Sequence, residues 1–225
     1  MKKLVTVAMA LIMATGCVFA DAKEQKELNK ERQAIAKLSR QELNQKASKD
    51  ARKEAKRLKK EGWVVAPGAL PLEKQLDKSY LMRNEYDENM YPKYIMAEAM
   101  SIAENYDAGK MQALELAKQN LAGQIQTEIT ALVENTVANE QLSAEQASSI
   151  TRTVSASKNL ISQSIGRLIP VVECYRVKGN KNKEVLVRIA YNSQMAMEAA
   201  KKVVKQELEK KGEDLHEQLD KIMGF

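Results

Sequence analysis

Several residue types on which catalytic and cofactor sites depend are scarce in this chain. It contains a single histidine, His216, so a zinc site built from several histidines is excluded and a Ser-His-Asp arrangement would have to use that one residue. The nine glycines are scattered, and neither Gly-x-x-x-x-Gly-Lys nor Gly-x-Gly-x-x-Gly occurs. We therefore expect no nucleotide-binding loop, no cofactor and no enzymatic activity, and we interpret His216 as a surface residue.

Cysteine is equally scarce, and the positions of the cysteines limit how the fold can be stabilised. The chain has two, Cys17 and Cys174. If the chain is cleaved after Ala20, only Cys174 remains and no intramolecular disulfide can form. Stability must then come from packing, and we interpret Cys174 as a small buried residue of a strand rather than a reactive thiol.

The first twenty residues have the three-part layout of a secretory signal peptide. Lys2 and Lys3 precede an uncharged apolar stretch at positions 4–14, and small and polar residues follow before Asp21. The whole stretch from Leu4 to Ala20 falls short of the roughly 20 apolar residues that a spanning helix needs. We therefore predict an exported protein, in the periplasm or associated with the outer membrane, with no transmembrane helix in the mature chain.

Two processing routes remain open. The small residues of Val18-Phe19-Ala20 predict cleavage after Ala20, which would release a soluble protein beginning at Asp21. Alternatively, Ala14-Thr15-Gly16-Cys17 resembles a lipobox, at which bacteria attach lipid to the cysteine, here Cys17. The second route would leave the protein anchored to a membrane.

The net charge of +6 is concentrated in one segment. Between Lys23 and Glu61 there are fourteen Lys or Arg against seven Asp or Glu, a surplus of +7. Without Lys2 and Lys3 the net charge is +4, so the rest of the mature chain sums to 4 − 7 = −3. The basic character therefore belongs to residues 21–61.

Residues 21–61 also have the pattern of a long helix. The segment from Lys23 to Glu61 contains no Pro or Gly, and its apolar residues recur mostly three, four or seven apart, which predicts one long basic helix ending at Gly62. Because much of the apolar stripe is alanine, the helix packs lightly on the domain, pairs with a partner helix as a coiled coil, or projects. Its charges either form a solvated face or contact anionic lipid or cell-wall polymer. Export argues against nucleic acid. The stripe comprises Leu28, Ile35, Leu38, Leu43, Ala47, Ala51, Ala55 and Leu58.

Residues 62–92 have the composition of a linker that contains one short helix. Pro67, Gly68 and Pro71 punctuate it, and apolar residues at four-residue spacing behind Pro71 predict the helix. The few aromatic residues crowd this region, which makes them a candidate contact surface; the alternative is that they pack the linker onto the sheet, with Trp63 as its anchor. These residues are Trp63, Tyr80, Tyr86, Tyr91 and Tyr94.

An acidic tract lies in the same region. Glu85, Asp87 and Glu88 supply the oxygen ligands that calcium prefers, but they lack the glycine and the terminal glutamate spacing of an EF-hand. We therefore expect no metal site.

Residues 93–225 alternate between strand and helix patterns. Small and large residues alternate over Tyr94 to Ala103, which predicts a strand, and Gly109 to Asn139 follows with a clear helical stripe. Ser143 with Gln146 forms a capping-box pattern that opens a further helix. Next come a predicted β-hairpin and a helix that Gly212 interrupts. The hairpin strands are Leu168 to Val177 and Glu184 to Tyr191, and the last helix begins at Ser193.

This order predicts an α+β fold, in which helices pack on a small antiparallel sheet made of a strand, then two helices, then a hairpin, then a helix, behind the long basic N-terminal helix. A hairpin loop centred on Asn180 and Lys181 would place Glu173 opposite Arg188 on one face. The other face would then carry Val172, Cys174, Val185, Val187 and Ile189.

The order of elements, with the run from Ala113 to Leu121 directly after the first strand, resembles the lipoprotein-20 family of bacterial envelope proteins. The N-terminal domain of flagellar assembly protein T has a similar arrangement. The resemblance covers about Tyr91 to Ala200 and leaves the basic segment outside. It implies a periplasmic or outer-membrane location and a non-catalytic role in envelope assembly or surface interaction.

Three functions are compatible with these features. The first is an exported structural or interaction protein that binds an envelope protein or an anionic envelope component, or that forms a homo-oligomer. The second is an envelope hydrolase whose carboxylates meet only in the fold. The third is a module that binds a small ligand or a metal. Only the first uses features visible in the sequence, so we expect it ahead of the others.

Overall fold

A computed structural model describes residues 45–139, 142–212 and 215–223, together with scattered positions between 26 and 37. The chain divides into two units, Met1–Lys46 and Ala47–Phe225. In the first unit the described positions between 26 and 37 are helical, and residues 45 and 46 are not. Cys17 and the cleavage site between Ala20 and Asp21 lie outside the described residues.

The second unit is an α+β fold with one antiparallel sheet of three strands, which confirms the predicted fold class. Helices precede, separate and follow the strands. The strands are β1 (Tyr94–Ala103), β2 (Ile169–Val177) and β3 (Lys183–Asn192). The helices are α1 (Lys49–Lys60), α2 (Leu72–Arg83), α3 (Tyr106–Ala138), α4 (Ala144–Ala156), α5 (Lys158–Ser164), α6 (Ser193–Lys210) and α7 (His216–Ile222).

The strand order in the sheet is β1-β3-β2, so β3 is the central strand. It pairs antiparallel with β1 over its whole length and with β2 through the hairpin. The β2–β3 ladder has a bulge between Pro170 and Val172. This is expected at a proline, which cannot donate a ladder hydrogen bond.

The predicted hairpin is confirmed, but its predicted register is wrong by one residue. Glu173 lies opposite Val187, and Arg188 lies opposite Val172. The loop is a single turn of 3₁₀ helix, Gly179–Lys181, with Lys181 at φ 65, and it is closed by a hydrogen bond from the Lys178 N–H to the Asn182 carbonyl. A three-residue loop ending in the left-handed region moves the hairpin centre by half a residue, which exchanges the faces of β2 relative to β3.

The continuous helix predicted from Lys23 to Glu61 is interrupted. Residues 45–48 are not helical, and α1 begins at Lys49 behind Ser48, whose hydroxyl accepts a hydrogen bond from the Ala51 N–H. Serine is a strong N-cap residue because its side chain satisfies a backbone donor of the first turn.

The segment predicted as a linker, residues 62–92, is part of the compact second unit, since α2, with Pro71 as its N-cap residue, packs against the sheet.

The helices that follow β1 begin and end largely where local signals predicted. Ser143 and Gln146 form a reciprocal capping box at the start of α4, and α6 ends just before Gly212, which has φ 72. The helix predicted behind Ser143 is divided at Ser157 into α4 and α5. The Ser157 hydroxyl donates to the Thr153 carbonyl (2.7 Å), and such bonding to the preceding turn competes with regular helix.

The larger hydrophobic core lies between one face of the sheet and helices α3 to α7. Helix α3 approaches the sheet very closely at Gly109, where an added Cβ would lie 2.7 Å from a methyl carbon of Val185. The Ser101 hydroxyl donates to the Gly109 carbonyl at the same contact. The small residues of β1 on this face, Ala97 and Ala99, leave room for the helix, as their spacing predicted.

A second core lies on the opposite face of the sheet. Helices α1 and α2 and Trp63 pack there on the side chains that β2 and β3 direct away from the first core. The sheet is therefore covered by helices on both faces. This second core contains Ala47, Ala51, Ala55, Leu58, Trp63, Leu72, Leu76, Val172, Cys174 and Leu186.

Candidate anion-binding surface on the first helix

Helix α1 is held in one orientation by its buried side. Ala51, Ala55 and Leu58 are buried in the second core. At the start of the helix, the Ser48 N–H donates to Asp77 Oδ1 of α2 (3.0 Å). After its end, the Trp63 N–H donates to the Leu58 carbonyl (3.0 Å). The other side of α1 therefore faces solvent in a defined direction.

That exposed side carries a row of four lysines, Lys49, Lys53, Lys56 and Lys60, which we call the lysine row. At 3.6 residues per turn, spacings of four, three and four residues place them within an arc of about 60°. The centre of this arc lies about 180° from the buried alanines and Leu58. Within the part of the chain that the structure describes, none of the four makes an ion pair. The row is therefore unneutralised positive charge over about 16 Å of helix.

The remaining basic residues of α1 are mostly engaged. Arg57 bonds to Glu54 (2.5 Å) and to Glu61 (2.7 Å), and the hydrogen bond from Arg57 lowers the pKa of Glu54. Lys59 pairs with Glu73 of α2 (2.9 Å), and its hydrogen bond lowers the pKa of that carboxyl group. The pairs of Arg57 lie on one side of the lysine row and the pair of Lys59 lies on the other, so the row itself stays free.

A shallow groove of about 400 Å³ runs between α1 and α2 next to the lysine row. Arg52, Lys56, Lys59 and Lys60 line it, with Ala55 at its base and Glu73 on the opposite wall. Helix α1 has seven basic and two acidic residues, a net charge of 7 − 2 = +5. The groove and the lysine row together form a positive surface that can hold anionic groups.

The five aromatic residues predicted as a contact surface do not form one. Trp63 is only 3% exposed and lies in the second core, where the guanidinium of Arg176 stacks on its ring at 4.6 Å. Tyr80 is half-buried against the same core, and Tyr94 packs on a small cluster of Met82, Val171 and Ala190. These three residues are packing anchors, which is the alternative that the sequence had left open.

Tyr86 and Tyr91 are the two that remain exposed. They lie in the loop before β1, which is closed when Asp87 Oδ1 accepts the N–H groups of Asn89 and Tyr91. Glu85 pairs with Lys93 across the base of the loop. The acidic tract thus stabilises a turn, and among the residues described by the structure no group of three or more His, Cys, Asp or Glu is placed to hold a metal ion.

Sequence reasoning missed one polar cluster, around Glu173. The carboxylate of Glu173 accepts from the Tyr106 hydroxyl and pairs with Lys110 (2.9 Å), both at the start of α3. Burial, followed by the hydrogen bond with Glu173, raises the pKa of Tyr106. The cluster ties α3 to β2. Because the predicted register put Glu173 on the same face as Arg188, no sequence signal pointed to this contact.

Cys174 and His216, the two other residues that could carry chemistry, are packed within the fold. Cys174 is fully buried and free, and burial raises the pKa of its thiol to about 12. His216 is half-buried and lies 3.3 Å from Glu209. Within the described ranges, no helix has both the length and the apolar character that crossing a membrane requires.

Comparison with protein-family models found no match for the chain. Comparisons with curated proteins and with solved structures found no match either.

Proposed function

We propose that the chain is an exported, non-catalytic protein of the bacterial cell envelope that binds an anionic lipid surface through the lysine row of α1. The signal-peptide layout of the first twenty residues supports export. The resemblance to the lipoprotein-20 family supports an interaction role in the envelope. An envelope location also brings the protein next to lipid headgroups.

The observation that carries the proposal is the arrangement of charge on α1. Four lysines that pair with no carboxylate among the described residues lie in one row, directly opposite the side that anchors the helix to the sheet. A flat anionic surface can contact all four at once, because they point the same way. Lysines near such a surface contribute about 1 kcal/mol each. The energy comes from exposed charges, so added salt weakens the binding. At 0.1 M salt, exposed charges more than about 10 Å apart are largely screened from each other.

Vesicle co-sedimentation tests this proposal. The protein is purified from its native envelope, and its intact mass first distinguishes an N-terminus at Asp21 from a lipid-modified Cys17. Binding is then measured to vesicles of phosphatidylcholine alone and to vesicles that also contain phosphatidylglycerol. We expect binding only to the anionic vesicles, and a loss of binding as the salt concentration rises.

The decisive variant replaces Lys49, Lys53, Lys56 and Lys60 with glutamine, and we expect it to bind at least tenfold more weakly. The matched control removes four positive charges elsewhere, by the same substitution at Lys118, Arg167, Lys202 and Lys221. Equal loss in both variants would mean that only net charge matters. Unchanged binding of the lysine-row variant would refute the proposal.

A further inference from the structure

The two outer edges of the sheet differ in how they are covered. The outer edge of β2 is closed by its own chain, because Val64 and Tyr175 exchange two hydrogen bonds of 2.8 Å. Two residues earlier in β2, the Glu173 N–H donates to Gln75 Oε1 of α2 (2.7 Å). Native proteins usually protect sheet edges in this way, since unpaired backbone groups invite another strand.

No strand among the described residues pairs with the outer edge of β1, which we call the open edge. The Lys93 carbonyl accepts a hydrogen bond from the Ser193 N–H, next to the β1–β3 ladder. The backbone N–H and carbonyl groups of the odd-numbered residues of β1 therefore point toward β3, and those of the even-numbered residues point outward. Of the outward groups, the Glu98 carbonyl accepts from Asn120 of α3 (3.0 Å). Among the described residues, no group makes a hydrogen bond to the outward backbone N–H or carbonyl of Met100 or Ile102.

Apolar side chains flank this open edge in both layers. On one face of the sheet, Met100 is 52% exposed and Ile102 is 55% exposed. On the other, Leu116 of α3 is 48% exposed and lies one helical turn before Asn120, which reaches the edge. Charge is almost absent: Glu98 is the only charged residue of β1, and it is neutralised by Arg188 of the same sheet (2.6 Å).

We infer that the open edge of β1 is a homodimer interface, in which the β1 strands of two copies pair antiparallel about a twofold axis and join the two sheets into one of six strands. A twofold contact places each residue against the same surface of its partner, so charges there repel unless they are neutralised. This edge meets that condition, because its one charge is already paired within each copy.

The axis passes through Met100. With Met100 opposite its counterpart, Glu98 lies opposite Ile102 of the partner copy, and the aliphatic part of the glutamate covers the isoleucine. Shifting the register by one step would set Met100 opposite Ile102 but Glu98 opposite Glu104, and like charges directly opposite are destabilising. The register centred on Met100 is therefore favoured over this shifted one. The Glu98 carbonyl keeps a second lone pair for the partner strand while Asn120 occupies the first.

Analytical ultracentrifugation of the full mature chain tests the interface. We expect a dimer that persists at high salt, in contrast to the binding proposed for the lysine row, because no ion pair holds it together. The variant with Met100→Lys and Ile102→Lys is expected to be monomeric with an unchanged circular dichroism spectrum, since a lysine at a strand edge blocks strand addition. Met111→Lys, on a 73% exposed residue that lies on a different side of α3 from Asn120, is the control and should remain dimeric.

Cross-linking gives a second readout that does not depend on a disruptive change. Met100→Cys should form a disulfide-linked dimer under mild oxidation, because paired residues across an antiparallel contact have Cα atoms about 5.5 Å apart. Met111→Cys should not. A monomeric wild-type protein would overturn the inference, which would leave the edge to a strand of another protein. A dimer that survives the double lysine substitution, or equal cross-linking of both cysteine variants, would overturn it as well.

Discussion

Single atoms decide how closely α3 can approach the sheet. Gly109 lies where an added methyl group would come within 2.7 Å of the branched Val185 side chain. Gly123 of the same helix would meet only the flexible end of Lys158, at 3.4 Å. The two glycines therefore have different roles, although both lie in the same helix.

Replacing these two glycines by alanine should change stability in opposite directions. Gly109→Ala is expected to lower the free energy of unfolding by about 1–2 kcal/mol, because the helix must move away from the sheet. Gly123→Ala is expected to raise it by up to about 1 kcal/mol, since alanine favours helix and the lysine can move aside. Urea unfolding followed by circular dichroism measures both. A rise in the free energy of unfolding for both variants would contradict the close contact at Gly109.

The sequence predicted the surroundings of a residue where residue type or short-range spacing determines them. The buried state of Cys174 and the anchoring role of Trp63 follow from residue type, and the capping box of Ser143 and Gln146 follows from spacing. The Glu173 cluster could not be foreseen, because it depends on which face β2 presents to α3. A loop of three residues rather than two or four decides that face.

At the scale of elements, the pairing of α2 with the edge of β2 depends on one buried side chain. Gln75 is buried, donates to the Leu70 carbonyl (2.7 Å) and accepts from the Glu173 N–H (2.7 Å). It thus satisfies two partly buried backbone groups that would otherwise lose this partner. Such groups cost about 1–3 kcal/mol each when they lose their partner.

Gln75→Leu is expected to lower the free energy of unfolding by about 2–4 kcal/mol, because leucine fills the space but satisfies neither backbone group. Gln124→Leu, at an exposed position of α3, is the control and should have little effect. Chemical denaturation of both variants measures the difference. If Gln75→Leu were as stable as the wild type, the hydrogen bonds of Gln75 would not be what closes this edge of the sheet.

The elements themselves were predictable where a periodic stripe ran between clear start and stop signals, as in α3 and in α6 before Gly212. The helix predicted from Lys23 to Glu61 shows the limit of periodicity. Its stripe continues in the sequence across residues 45–48, yet Ser48 caps a new helix there. The same residues are compatible with a continuous helix and with a helix that begins anew after Ser48. The break is favoured by the contact between Ser48 and Asp77 of α2, which is long-range in sequence.

At the scale of the whole molecule, the sequence left the second helical layer as one of several alternatives. An alanine stripe buries little apolar area on its own, at about 0.8 kcal/mol per methylene group. In the fold, however, Ala51 and Ala55 let α1 approach the sheet closely enough for Trp63 and Leu76 to enclose Cys174. The stability of this layer comes from several elements packed together, and no single stretch of sequence shows that packing.

Cys174 can therefore report whether the two layers open together. Its thiol lies beneath α1 and α2, so a thiol reagent should label it in the native protein only as fast as that layer opens. We expect the free energy of opening obtained from labelling to equal that of global unfolding. Faster labelling would mean that α1 and α2 open on their own.

The same thiol links stability to alkaline pH. Its pKa rises from 9.0 to about 12 on folding because burial disfavours the thiolate. The unfolded chain loses this proton first, so the contribution is intact below pH 9 and is lost as pH rises toward 12, at about 1.4 kcal/mol per unit. Stability should fall more steeply in this range for the wild type than for Cys174→Ala, and urea unfolding at several pH values compares the two. Parallel slopes would contradict the burial.

The central place of β3 also governs the order in which the chain can fold during synthesis. Glu98 of β1 and Arg188 of β3 are 90 residues apart in sequence, so at roughly 5–20 residues per second β1 leaves the ribosome several seconds before its partner strand is made. Until then its apolar residues have no ladder on either side. Because β1 pairs only with β3 in the sheet, the final fold cannot form until translation has nearly ended.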